Sequence, residues 1–231
     1  RSHMNKIYGL MSVAMVITGI VAWIVGSDLA RMMAEQPTAI VPEGVIAALF
    51  NSPLRYVVMF APLIFVFGFA AGINRMSEAT AQMVFWAFAA TMGLSISWIF
   101  AVFTGMSIAQ VFFVTAVAFA GLSLWGYTTK KDISGWGSFL FMGLIGVIVA
   151  SIVNIFLGSP ALMFAVSVIG VLVFAGLTAY DTQRLKTEYL EMRSMQGEAY
   201  LGKAAIMGAL GLYLNFINMF MLLLQLFGNR E

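Results

Sequence analysis

Of the ten acidic residues in this chain, one closes an otherwise apolar run: Asp181, at the end of Phe174-Ala-Gly-Leu-Thr-Ala-Tyr-Asp181. A carboxylate in that position can hold an ion pair or carry a proton. Each of these roles offsets part of the cost of taking its charge out of water. Two cationic partners are open to it. Arg184 stands three residues on, within reach along one helix face, and Arg75 follows an earlier apolar run at a similar depth. A second polar signal lies in the last apolar run, where Ala204, Gly208, Gly211, Asn215, Asn218, Leu222 and Gln225 recur at three- and four-residue steps. Small and amide side chains so spaced share one helical face, which protein or water must cover. Weaker versions are Gly143, Gly146, Ala150 and Asn154 in the fifth run, and Gly68 with Gly72 in the second.

The remaining acids are expected outside the apolar runs. Asp28, Glu35 and Glu43 fall in an outer loop, Glu78 and Asp132 in short inner loops, Glu188, Glu191 and Glu198 after Asp181, and Glu231 at the end. Asp181 therefore lacks the second carboxylate with which an aspartyl protease shares a proton. The chain has no cysteine, which excludes thiolate metal sites, iron–sulfur ligation and a cysteine nucleophile. Residues 1–3 read as an expression-tag remnant ahead of Met4, with residues 4–231 forming one domain. On that reading His3 is foreign and no histidine remains to serve a catalytic serine. No phosphate-binding glycine motif is present. The expectation is a protein that is not an enzyme and needs no cofactor. With 12 Lys and Arg against 10 acids, a net charge of +2 offers no field for nucleic acid.

The elements that must position these groups follow from composition. The chain is 61% hydrophobic and 10% charged, with a mean hydropathy of +0.95, far from a water-soluble globule. Seven runs are long enough to cross a bilayer as helices: Ile7–Val25, Tyr56–Ile73, Ala81–Phe103, Ile108–Tyr127, Phe139–Leu157, Ala161–Asp181 and Ala204–Phe227. Their continuity, without alternation, excludes barrel strands. Eight Lys and Arg fall on the N-terminal side (Lys6, Arg75, Lys130, Lys131, Arg184, Lys186, Arg193, Lys203) and three on the other (Arg31, Arg55, Arg230). That bias predicts a cytoplasmic N-terminus. The Gly26–Pro53 segment is expected to carry an interfacial stretch around Val45–Phe50, and the amide stripe predicts a central seventh helix.

Three ordered motifs carry a family resemblance. They are Leu122-Ser-Leu-Trp-Gly-Tyr-Thr-Thr-Lys-Lys-Asp132 with Gly137–Gly146, then Gly176-Leu-Thr-Ala-Tyr-Asp-Thr-Gln183, then Leu212-Tyr-Leu-Asn-Phe-Ile-Asn218. Together they resemble the transmembrane Bax inhibitor-1 family. The resemblance implies seven helices with the last one wrapped by the other six, in a bacterial cytoplasmic membrane. It also implies a pH-sensitive passive calcium leak, and a bacterial relative is linked to a membrane-bound protease as a modulator. Family members pair an aspartate of the sixth helix with one of the seventh, and an arginine of the second helix acts as a latch. Asp181 matches the first. Arg75 falls at the latch position by gapless spacing, and Asn215 replaces the second aspartate.

The resulting expectation is a calcium or cation leak, gated on the cytoplasmic side by Asp181, Asn215 and Arg75. Asn218, Arg184, Thr178 and Asn154 are supporting polar groups, and Asp181 is a weak calcium ligand. The lipid bilayer and the permeating calcium ion are the expected partners. The alternative is a non-conducting regulator that binds another membrane protein, such as a membrane-bound protease.

Overall fold

The computed structural model describes residues 2–195 and 198–230. Arg1 and Glu231, and the side chains of Arg193 and Glu198, lie outside the described residues. Apolar runs of this length become helices because lipid offers no hydrogen-bond partner to the backbone, and a helix satisfies its N–H and C=O groups within the run. The fold is all-α. Helix α1 spans Ser2–Met33, α2 Glu43–Asn51, α3 Leu54–Gly72 with a 3-10 turn at Ile73–Arg75, α4 Glu78–Ile96 and α5 Ile99–Val102. Then come α6 Gly105–Thr128, α7 Trp136–Leu157, α8 Pro160–Met195 and α9 Glu198–Phe227. Seven segments are long and apolar enough to cross a membrane: α1, α3 with its 3-10 turn, α4 with α5, and α6 to α9. The stretch expected at the interface is the short helix α2. Pro62 sits inside α3 without ending it.

Two boundaries differ from the sequence reading. Helix α8 does not stop at Asp181 but continues to Met195, since Thr182–Met195 holds no Pro or Gly and its charges pair along one face. Asp181 thus lies within a long helix. Asp28, expected in a loop, lies in α1 and is buried. Its carboxylate replaces water with three backbone N–H donors of the loop that follows: Ala39 (2.7 Å), Ile40 (2.9 Å) and Val41 (2.6 Å). Asp28→Asn should therefore speed amide exchange at residues 39–41 about tenfold, the equivalent of about 1.4 kcal/mol, with little change elsewhere. Unaltered exchange there would mean that something other than Asp28 orders the loop.

The chain forms two compact units. The first comprises α1 to α5, α9 as far as Leu210, and the chain end from Asn229; the second comprises α6 from Met106 through α8, and Gly211–Gly228. In the first, α1 packs against α4 where Thr18 Oγ1 donates to the Ala89 carbonyl at 2.8 Å, and Gly93 lets the Thr18 carbonyl approach its Cα. In the second, α6 meets α8 at Gly126, which lies directly on the Ala179 backbone, and α7 meets α8 at Gly143 and Gly176. Phe112 and Phe119 of α6 meet Phe216 of α9 edge-on at 5.3 and 5.5 Å between centroids. Helix α9 is the most buried span, with 61% of its most apolar window inside the protein against 6% for α7. The amide stripe predicts this burial.

Candidate functional site

Asp181 lies in the second unit, its side chain only 14% exposed. One carboxylate oxygen, Oδ2, accepts from Asn215 Nδ2 of α9 at 2.7 Å; the other, Oδ1, faces Arg184 Nη2 at 3.2 Å, one turn along α8. Arg184 is half exposed, lies 5.9 Å from the Tyr180 ring centroid and reaches toward Glu188 at 4.0 Å. Asn215 is itself buried, so its amide exchanges water for the carboxylate. The cluster is a part-buried carboxylate held between a neutral amide of one helix and a guanidinium of its own.

The rest of the Asp181 turn ties α8 to its neighbours. Thr182 and Ser123 of α6 share a buried hydrogen bond at 2.9 Å, and Thr182 also donates to the Thr178 carbonyl at 2.7 Å. Gln183 accepts from the Ile133 N–H at 3.0 Å and donates to the Lys131 carbonyl at 2.8 Å, which fixes the α6–α7 loop. Lys186 donates to the Tyr127 carbonyl at 2.8 Å, at the C-terminal end of α6, where a cation offsets the helix dipole. Asp181 is therefore aimed by a helix that is clamped to α6 and the α6–α7 loop in the turn just beyond it.

Asp181, Asn215 and Arg184 come together, which makes the local arginine the partner of Asp181 within its unit. Arg75 belongs to the other unit, at the end of the 3-10 turn, and is exposed with no ion pair among the described residues. Thr178 is buried but donates to the Phe174 carbonyl of its own helix at 2.8 Å, and Asn218 donates to the Leu214 carbonyl at 2.8 Å. Asn154 is a helix terminator. Its Oδ1 accepts from the Ser159 N–H at 2.9 Å and its carbonyl from Gly158, whose φ of 61° ends α7 before Pro160 opens α8. Asp181 stands 21 residues beyond Pro160, roughly 30 Å along the helix, so Asn154 has no part in the cluster. Ser123, Gln183 and Lys186 were missed. A trace of their roles was present in the Asp181-Thr-Gln-Arg-Leu-Lys186 spacing, which spreads polar groups around a helix that was expected to end.

Among the described residues no three His, Cys, Asp or Glu side chains converge as a metal site. Calcium takes six to eight oxygens, whereas both Asp181 oxygens here face N–H donors. In this arrangement the cluster is a lock between helices, and a cation would have to displace its donors to bind.

A family model described as "Inhibitor of apoptosis-promoting Bax1" matches residues 1–231. A protein of Caulobacter vibrioides is 46% identical over 232 residues, covering 100% of this chain and 90% of its own length. The protein named "Inner membrane protein YbhL" of Escherichia coli is 43% identical over 234 residues, covering 100% of this chain and 93% of its own. One from Rickettsia prowazekii is 41% identical over 232 residues, with 100% and 91% covered.

Proposed function

This chain belongs to the Bax inhibitor-1 family, and from that premise we propose that it is a pH-sensitive passive calcium leak of a bacterial inner membrane, gated where Asp181 meets Asn215 and Arg184. The observation that carries this reading is the largely shielded Asp181 carboxylate, joined to α9 by a 2.7 Å bond from Asn215. A buried charge held by few contacts can be released by a proton, which makes the contact a switch more than a strut. Calcium is the permeant species and the bilayer the partner; no covalent step and no cofactor are invoked. The eight-to-three bias of Lys and Arg sets the N-terminus, and with it the gate, toward the cytoplasm. A leak path needs weak ligands, since an ion held tightly does not leave.

Purified protein in liposomes with an internal calcium dye tests the reading directly. Flux should appear without any partner and should change between neutral and mildly acidic pH. No flux at either pH would overturn the leak and favour the non-conducting regulator. The Asn215→Asp variant refines the test. Two carboxylates at hydrogen-bond distance share a proton and titrate as a pair, so its flux should respond more steeply to mild acid than that of the parent. Superimposed flux–pH curves would place the proton sensor elsewhere in the chain.

A further inference from the structure

We propose that the loop between α6 and α7, residues 129–135, is a binding site for the headgroup of an anionic phospholipid. The loop joins the ends of two spans, so its depth is that of the membrane–water boundary. Trp125 in the last turn of α6 and Trp136 at the start of α7 stack across it, with centroids 5.9 Å apart and rings 19° from parallel. Trp125 is 42% exposed. A paired indole surface open to lipid at this depth is the usual interfacial anchor, apolar in body with a polar N–H edge.

Between the two tryptophans in sequence the loop presents Lys130 and Lys131, both exposed and neither in an ion pair among the described residues. Their backbone is not free to move away. Gln183 grips it at the Lys131 carbonyl and the Ile133 N–H, Ile133 is fully buried, and the Lys131 N–H donates to Thr129 Oγ1 at 3.2 Å. A loop backbone that is already fixed has less entropy to lose when a headgroup arrives. Asp132 lies in the same loop, and Lys186 of α8 reaches the last turn of α6 at Tyr127. Asp132 accepts from the Ser134 N–H at 3.0 Å, a bond that holds its carboxyl below the usual range and keeps it ionised. Lys186 is committed to the Tyr127 carbonyl and ring. Three ammonium groups thus stand against one carboxylate, a surplus that suits a phosphodiester at the bilayer surface.

The test is independent of ion flux. The full chain, with Trp23, Trp86 and Trp98 replaced by Phe so that only Trp125 and Trp136 report, is placed in phosphatidylcholine vesicles. These contain a minority of brominated phosphatidylglycerol or, in parallel, of brominated phosphatidylcholine. Bromine on the anionic lipid should quench the pair more strongly at equal mole fraction, and added salt should shrink the difference. Lys130→Gln/Lys131→Gln should weaken the preference by about fivefold per lysine, the equivalent of about 1 kcal/mol each, while Lys130→Arg/Lys131→Arg retains it. Equal quenching by the two lipids, or a preference that survives the glutamine pair, would overturn the site. Displacement by inorganic phosphate would also overturn it, in favour of a free-anion site. If the Phe replacements do not fold, the ratio of phosphatidylglycerol to zwitterionic lipid that copurifies with the unaltered chain and with the glutamine variant decides the same question.

Discussion

Asp181→Asn should raise calcium flux at neutral pH about tenfold or more, the equivalent of about 1.4 kcal/mol taken from the closed state. The substitution keeps the shape and one acceptor oxygen for Asn215, yet removes the charge that Arg184 faces at 3.2 Å. The exposed half of that ion pair contributes little by itself, because solvent screens Arg184. The larger effect comes from the buried side, where a charge-assisted bond from Asn215 becomes an ordinary amide contact. Asp181→Ala goes further and leaves the buried Asn215 amide without its acceptor, at a cost of about 1–3 kcal/mol in stability. The two variants separate gating from folding: the first should conduct more while melting near the parent, and the second should conduct more and also melt below it. A folded Asp181→Asn protein with parental flux would remove Asp181 from the gate. Arg184→Ala and Arg75→Ala, measured alongside, report whether the local pair or the second-helix arginine matters.

The second large effect is expected at Gly126, where any side chain would strike backbone and not a yielding side chain. A Cβ there would fall on the Ala179 carbonyl oxygen and lie 2.9 Å from its Cα. Gly126→Ala should push α6 from α8, stretch the buried Ser123–Thr182 bond and destabilise the protein by about 1–3 kcal/mol. Gly146→Ala supplies the contrast. Nothing lies within 4 Å of its added Cβ, so the gain in helix propensity should leave the protein unchanged or more stable by up to about 1 kcal/mol. Denaturation in detergent measures both signs. If both variants melt like the parent, the α6–α8 approach is looser than the structure has it.

Gly126 also shows where pattern reading stops. The sequence marks Gly68, Gly72, Gly143, Gly146 and Gly211 as candidate packing positions because of their spacing. Yet Gly68, Gly146 and Gly211 meet nothing, and the backbone-to-backbone approaches occur at Gly26, Gly93 and Gly126. Spacing shows which residues share a face of one helix. It is silent on which face meets a partner.

What the sequence by itself determined is the set of properties that a bilayer imposes on a single run of chain: seven spanning helices, most of their approximate ends, the burial of the last one and the place of Asp181 at the close of an apolar run. Each follows from a local cost, that of an unpaired backbone or polar group in hydrocarbon, and local costs are written in local composition. The α8 helix beyond Asp181 and the burial of Asp28 were misread because charge alone was taken to mark the end of a span. A charge can sit within a helix where nearby groups pair with it or solvate it, as Arg184 does for Asp181 and three loop N–H donors do for Asp28. Only the tertiary structure could assign Asn215 and Arg184 as the partners of Asp181, reduce Asn154 to a helix terminator and bring Gln183 onto the α6–α7 loop. Residues 34 or more apart in the chain meet by how helices pack, and that packing is set by side-chain shape across the interface, which no single helix's sequence contains.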